Sequence, residues 1–318
     1  MKNTVEDLMD SSWGYREARV LHAANGLGIF TILSEQEMTA EQICRKCDSR
    51  VGITEKLLIA CTAMGLLQRH DDKYANTDFA EKYLVRGREL YQGDMIAHSA
   101  SVWNFWNDLE DKLHAEPAGR NMPGGDHRNF ILAMHNIAVT GRCRMFLEGV
   151  DLAGRKKFFD VGGGPGTYSI EACKRYPELR AVVFDMAETI VITKEIIAAE
   201  KMQDRVTVLE GSWDTHDFRQ GNDVVLLSDV MHGPDSQAQM KLRKAYDSMT
   251  EGGLLVIQEF VLNDEKTGPL VPALFNVMVG AFSQAELFAE IQDAGFVEPN
   301  VVSSSERLGA TWVTALKP

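Results

Sequence analysis

Residues 158–185, FFDVGGGPGTYSIEACKRYPELRAVVFD, constrain the fold more than any other stretch of this chain. An apolar run, Phe158, Phe159 and Val161, is broken by Asp160 and leads into a glycine cluster, Gly162, Gly163, Gly164 and Gly166. A helical stretch follows, then a second apolar run, Ala181 to Phe184, which ends on Asp185. Strand, glycine turn, helix, strand and acid form the plan of a nucleotide-binding βαβ unit. The glycines open backbone conformations closed to other residues and let the backbone approach a ligand closely. The helix after them offers unpaired N–H groups to an anionic ligand group. A carboxylate ending the second strand can accept hydrogen bonds from both hydroxyls of a ribose.

The glycine spacing separates two readings of that unit. A nicotinamide or flavin fingerprint needs G-x-G-x-x-G. Starting from Gly162, Thr167 stands where the third glycine belongs; starting from Gly164, Ser169 does. Neither register fits, so an NAD-linked oxidoreductase is disfavoured.

The rest of the chain extends the unit into a sheet. Arg205–Leu209 and Asp223–Ser228 read as a third and fourth strand, Leu254–Phe260 as a fifth, and 297–302 and 311–316 as two short final strands. Helices are expected over 187–201, 236–249 and 283–294, the last with Ser283 as cap and Glu286 three residues on. Strands alternating with helices imply an α/β domain with a mainly parallel sheet, Rossmann-like in plan. Ligands of such sheets bind beyond the C-terminal strand ends. Asp160, Asp185, Trp213, His232 and Glu259 all fall at or near those ends.

Before residue 154 the pattern is helical. Residues 20–33 read as one buried helix. Thr39 with Gln42 marks a helix start, 53–67 another apolar-faced helix, and 66–68 and 73–75 flank a polar turn. Helix, helix, hairpin is the order of a winged helix. The would-be recognition helix, ITEKLLIACTAMGLL, is mostly apolar, and a groove-reading helix needs basic and amide side chains. It reads as a packing surface for dimerisation, and the net charge of −13 also argues against nucleic acid or an anionic membrane. Cys44 and Cys47 form a C-x-x-C with no second pair or histidine nearby, so packing or exposed thiols is expected and no metal. Within 94–113 a helix would align Val102, Trp106, Leu109 and Leu113, widened by Trp103 and Phe105. A loop is expected at Pro117–Gly125 and a helix again at 130–139, with Phe130 and Met134. That aromatic and methionine stripe serves equally as core or as the wall of a substrate cavity between domains. His135 reads as packed or surface rather than catalytic.

The division expected is 1–92 for a winged-helix-like dimerisation domain, 93–153 for a helical connector, and 154–318 for the Rossmann-like domain. No long apolar run announces a transmembrane helix, the N-terminus lacks a signal-peptide core, and five scattered cysteines suit a reducing cytoplasm.

These motifs together resemble the S-adenosylmethionine-dependent O-methyltransferase family that includes plant phenolic and hydroxyindole methyltransferases and bacterial small-molecule enzymes. The resemblance runs over roughly residues 13–318. AANGLGIF and MGLL are similar to the family's dimerisation domain, and DVGGGPG to its motif I. It implies that Asp160, Gly162 and Gly164 hold the methionine end of the cofactor, that Asp185 with Met186 takes the ribose, and that Trp213 stacks on adenine beside Ser212. Ser228 stands where many members carry a cation near the cofactor. The family's H-D-W base motif appears here as MHGPD, so His232 is the implied general base. Glu259 in VIQEF is the implied glutamate that orients it. A second glutamate common in the plant enzymes has no clear match, and Gly280-Ala281-Phe282-Ser283 occupies its place. The implied reaction moves the methyl of S-adenosylmethionine, leaving S-adenosylhomocysteine, to a small apolar or aromatic acceptor held by Trp103, Trp106, Phe130, Met134, Phe275 and Met278. A hydroxyl acceptor and a homodimer are implied. Carbon or sulfur methylation on the same fold, and a cofactor-binding protein without transfer, are the alternatives.

Overall fold

In the computed structural model residues 4–114 and 126–318 are described, and the chain divides into two units, Met1–Asn136 and Ile137–Pro318. The loop expected at Pro117–Gly125 lies outside the described residues.

The first unit is mostly helical. Helix α1 (Val5–Trp13) starts on a capping box of Thr4 and Asp7. The single helix expected over 20–33 is two, α2 (Tyr15–Gly26) and α3 (Ile29–Leu33), because Gly28 takes a left-handed φ of 69° that breaks the helical ladder. Strand β1 (Met38–Thr39) leads into α4 (Ala40–Cys47), where Thr39 and Gln42 cap each other as the sequence predicts. Helix α5 (Val51–Ala63) precedes a hairpin of β2 (Leu67–His70) and β3 (Lys73–Asn76), turned at Asp71 with φ 55°. The sheet order is β1-β3-β2, all antiparallel, which completes the winged-helix plan. Its core gathers Ile29, Phe30, Ile43, Leu58 and Tyr74. Helix α6 (Asp78–Tyr83) follows.

The helix expected within 94–113 is three short ones, α7 (Gly93–Ser101), α8 (Trp103–Asn107) and α9 (Leu109–His114). Val102 and Asp108 leave helical geometry between them, so the four apolar residues do not form one buried stripe, and Leu113 is 75% exposed. Helix α10 (His127–Ile137) closes the unit.

The second unit begins with a turn, Ala138–Arg142, where Thr140 and Gly141 leave helical geometry, Gly141 at φ 132°. Helix α11 (Cys143–Gly149) then precedes the alternating series. This runs β4 (Lys157–Val161), α12 (Thr167–Arg175), β5 (Arg180–Asp185), α13 (Ala187–Ala199), β6 (Val206–Glu210) and β7 (Asn222–Ser228). It continues with α14 (Ala238–Ser248), β8 (Met249–Glu259), β9 (Val261–Leu262), α15 (Leu270–Met278), β10 (Phe282–Ser283), α16 (Gln284–Asp293), β11 (Val297–Ser305) and β12 (Ala310–Leu316). Ser283 and Glu286 form the expected capping box of α16.

Seven strands order as β11-β12-β8-β7-β4-β5-β6. The pairs from β8 to β6 are parallel; β12 and β11 are antiparallel. Side chains on a strand alternate between faces, and both faces here are covered, so the central strands read as continuous apolar runs. Phe159, Val225, Leu227 and Ile257 join one core cluster, while Phe158, Val224, Leu226 and Val256 join the other. Each such fully buried side chain contributes roughly 1.5–3 kcal/mol. The chain leaves β4 toward β5 and β6, then returns to place β7 on the other side of β4. That reversal opens the crevice beyond the ends of β4 and β7. No helix among the described residues is long and apolar enough to cross a membrane.

Candidate active site

The glycine turn after β4 is held by its own backbone and by two acids. Gly162, Gly164 and Gly166 take φ values of 62°, 52° and 73°, left-handed conformations that favour glycine. The Gly162 N–H donates to the Phe184 carbonyl at 2.7 Å, and the Gly164 N–H donates to Asp185 Oδ2 at 2.9 Å. Asp185 Oδ1 accepts from the Met186 N–H at 2.7 Å, so one carboxylate ties the turn to the end of β5. Met186 itself is half exposed.

Asp160 is 1% exposed at the end of β4. Ser169 Oγ donates to its Oδ2 at 2.7 Å, while its buried Oδ1 accepts no hydrogen bond. Burial lifts the carboxyl to about 7; the Ser169 hydroxyl opposes the rise and the Asp185 charge adds to it. A Cβ added at Gly163 would lie 2.6 Å from the Asp160 carboxyl carbon, so glycine is needed there for close approach. At Gly162 a Cβ would lie 2.8 Å from Val230 Cγ1 and 2.9 Å from Trp213 Cζ3. The turn, Trp213 and the segment before His232 are therefore in direct contact.

Trp213 is braced from below. Its ring centroid lies 4.5 Å from Lys241 Nζ, a cation–π distance, and its carbonyl accepts from Lys244 Nζ at 2.7 Å. Ser212 Oγ accepts from the Asp214 N–H at 3.2 Å. Lys241, 3% exposed, donates to the Val230 carbonyl at 2.6 Å and the Ser236 carbonyl at 2.9 Å, spanning the loop that carries His232.

His232 follows β7. Its Nδ1 is 3.1 Å from Glu259 Oε2, and Glu259, 1% exposed, also accepts the Met231 N–H on Oε1 at 2.7 Å. With Nδ1–H donated to the carboxylate, Nε2 is the basic nitrogen of that tautomer. Gly233 and Gly280, at φ 71° and 92°, stand where the loop meets the segment before β10. A Cβ on Gly280 would lie 2.8 Å from the His232 carbonyl oxygen. Phe260 lies 5.9 Å from the imidazole, and Phe275 stacks on Phe260 at 4.0 Å and 9°. Met278 ends the same helix, α15, half-buried.

Beside the histidine is a network the sequence reading missed. Arg142 Nη1 donates to Asp229 Oδ2 at 2.7 Å, and Arg142 Nη2 to the Leu308 carbonyl at 2.9 Å. Gln258 Nε2 donates to Asp229 Oδ1 at 3.1 Å, and Ser228 Oγ donates to Gln258 Oε1 at 3.0 Å. On Asp229 burial dominates and raises the carboxyl, with Arg142 the strongest influence opposing it. Burial works against the Arg142 charge, but Asp229 and the Tyr168 hydroxyl outweigh it, so the guanidinium stays protonated. Donor atoms of Asp229, His232 and Glu259 lie within 4.8 Å of one another. The carboxylate oxygens are already engaged by Arg142, Gln258, His232 and Met231. Gln258, a polar residue inside the apolar VIQEF strand, was the one available sequence signal; nothing local marks Arg142.

The second unit thus brings together Asp160, Gly162, Gly164, Asp185, Trp213, Ser228, His232 and Glu259 as neighbours around the ends of β4, β5, β7 and β8. Trp103, Trp106, Phe130 and Met134 belong to the first unit. There Trp103 packs near Tyr15 and His22 under the Arg19 guanidinium, Trp106 meets Phe105 edge-on, and Phe130 meets His98 edge-on.

Comparison with known proteins adds a family assignment. Residues 126–296 match the O-methyltransferase domain, and residues 9–86 match the O-methyltransferase dimerisation domain. A 3-hydroxy-5-methyl-1-naphthoate 3-O-methyltransferase of Streptomyces sahachiroi is 32% identical, over 93% of this chain and 90% of that protein. The N,N-dimethyltransferase OxyT of Streptomyces rimosus is 24% identical over 98% and 96%. The solved structure of human N-acetylserotonin methyltransferase in complex with SAM superposes with a TM-score of 0.87 at 22% identity, covering 99% of this chain and 98% of that one. At that identity the superposition speaks for the fold.

Proposed function

This chain belongs to the O-methyltransferase family and is an S-adenosylmethionine-dependent methyltransferase, and we propose that it methylates a hydroxyl of a small aromatic acceptor, with His232 as general base. The observation that carries this reading is the His232–Glu259 dyad, 3.1 Å long, on the loop that touches the glycine turn.

The residues present fit the cofactor. Asp160 offers a buried carboxylate oxygen without a partner to a cationic group, Asp185 places an acceptor carboxylate at the end of β5 for ribose hydroxyls, and Trp213 offers a ring for adenine beside Ser212 and Met186. Ser228 is tied to Gln258 at the same rim. When bound, S-adenosylmethionine supplies an activated sulfonium methyl, so the protein's task is alignment and exclusion of water. His232 Nε2 takes the acceptor's hydroxyl proton as the oxygen attacks. Glu259 holds Nδ1–H, fixes the tautomer, and favours the imidazolium that forms. The stacked Phe260 and Phe275, with Met278, give an apolar, aromatic surface next to the imidazole.

The first probe is 3-hydroxy-5-methyl-1-naphthoate, the acceptor in the Streptomyces relative's name, followed by simpler naphthols and phenols. Methyl transfer is read by mass spectrometry and cofactor affinity by calorimetry. His232→Ala should lower transfer by roughly 10²–10⁴-fold with cofactor affinity kept. A variant that turns over at the wild-type rate would sink the base assignment and favour an acceptor carbon or sulfur.

The dimerisation-domain match and the exposed apolar residues Ile53, Ile59 and Trp13 of the first unit support a homodimer, which light scattering on the purified protein tests. Five free cysteines support a cytoplasmic setting, and the net charge of −13 supports a small-molecule partner over nucleic acid or membrane. The division into 1–92, 93–153 and 154–318 belongs to the same proposal.

A further inference from the structure

We propose that Asp229, pinned by Arg142, is a second carboxylate acting on His232, a positioning residue that strengthens the histidine as a base together with Glu259. The inference deepens the proposed function and rests on His232 being the base.

The placement of Asp229 is unusual. It sits three residues before His232 at φ 51°, a left-handed conformation uncommon outside glycine, though Asp and Asn tolerate it best. Its N–H donates to the Gln258 carbonyl at 2.8 Å, so strand pairing with β8 runs on to the bend itself. The bend turns the side chain toward the base: a carboxylate oxygen comes within 4.8 Å of a ring nitrogen of His232. Both oxygens are fixed, Oδ2 by Arg142 and Oδ1 by Gln258. Its side chain keeps 21% exposure, against 7% for Arg142. The acid is thus at the open rim, and the arginine stands behind it.

Asp229 is the counter-charge against which the buried Arg142 stands. Taking a guanidinium out of water is costly, and only a paired carboxylate with further hydrogen bonds offsets that cost. Arg142 has Asp229, the Leu308 carbonyl, Gln258 Oε1 at 3.5 Å, the Tyr168 hydroxyl and the face of Phe260 at 5.5 Å, and its Nε has no partner. Among the described residues its contact with an opposite charge is the single one from Nη1 to Asp229 Oδ2, at 2.7 Å. Meanwhile the segment where a second glutamate was sought holds Ala281 and Phe282, both buried and apolar, and Ser283, spent on capping α16. The acid reaches the histidine from the strand side instead.

Glu259 from β8 and Asp229 from its own loop stand near the imidazole, and Arg142 from the turn before α11 and the Tyr168 hydroxyl from α12 act on Asp229 and on each other. With both carboxyls ionised, two carboxylates stand against one guanidinium, and the negative excess favours the imidazolium. Arg142 keeps Asp229 in place and moderates its field.

The test is an NMR titration of the His232 imidazole in the full chain labelled on histidine, with His232→Ala identifying its resonance. This readout needs no acceptor. Asp229→Asn keeps the left-handed backbone and an acceptor for Arg142, and its His232 midpoint should fall by about one pH unit. Asp229→Glu should restore most of that fall. An unchanged midpoint in Asp229→Asn would overturn the inference, since a merely structural role does not move the titration. If Asp229→Asn does not fold, Asp229→Asn combined with Arg142→Gln, which leaves neither buried charge unpaired, is compared with Arg142→Gln alone; the double variant's midpoint should lie lower, and equal midpoints would overturn the inference. Methyl transfer by His232→Ala is measured separately. Retained transfer there defeats the base reading, whereas a lost activity with an unmoved Asp229→Asn midpoint defeats only this inference.

Discussion

Replacing Asp160 by asparagine should make the ligand-free protein more stable, and increasingly so as the pH rises. In the fold this carboxyl is lifted from its ordinary 3.8 to about 7, chiefly by burial. The folded-state value lies above the unfolded one, so folding favours the protonated form. Stability is then untouched below the unfolded value and drains away as pH rises from about 4 to about 7. The two values correspond to a cost of roughly 1–2 kcal/mol near pH 5 and roughly 4 kcal/mol near pH 8. Asparagine has the same shape and its oxygen still accepts the Ser169 hydroxyl, but it carries no charge to desolvate. Denaturant unfolding of both proteins without ligand, at about pH 5 and about pH 8, measures the gap. The variant should lead at both, with the lead wider by ~2–3 kcal/mol at the higher pH. A gap independent of pH, or a variant less stable than wild type at pH 8, would refute the reasoning. The benefit should come with a loss: a cationic ligand favours the ionised carboxylate, so wild-type affinity for S-adenosylmethionine should rise between about pH 6 and 7, and the variant's should stay flat and weaker. Stability given up at a ligand site in return for function is a general pattern.

Two further expectations concern the loop that carries His232. Gly280→Ala forces a Cβ to within 2.8 Å of the His232 carbonyl at a φ of 92°, so kcat should fall at least tenfold while cofactor affinity by calorimetry stays within about twofold. Lys241→Met leaves the Val230 and Ser236 carbonyls without their buried donor, and a shifted urea midpoint should show a loss of roughly 2–4 kcal/mol. An unchanged midpoint would mean that the loop closes over the gap.

Much of this molecule was legible before any coordinates, because the signals are local. The capping boxes at Thr39 and Ser283 are written within four residues and form as read. The glycine turn and its two acids lie within one βαβ unit, where backbone conformation alone dictates glycine. The misplaced helix bounds are of one kind as well. The breaks at Gly28 and at Val102 and Asp108 interrupt apolar periodicities that looked continuous, since periodicity reports which face is apolar and not whether the backbone stays helical.

By itself the sequence determined the alternation of strands and helices, the parallel α/β domain and the glycine turn, all carried by periodicity, glycine and short-range capping, while the histidine and its glutamate came from the family resemblance. Tertiary structure decided what surrounds that histidine. Arg142 and Asp229 are 87 residues apart, and Arg142 reaches Leu308 across 166, distances over which no local pattern carries information. Phe260 and Phe275 become a stacked pair, and Lys241 a brace, only when the sheet is assembled. Whether a charge is an ordinary surface group or a field acting on a base depends on which strand end it meets and how much water is left there, and a one-dimensional sequence does not state either.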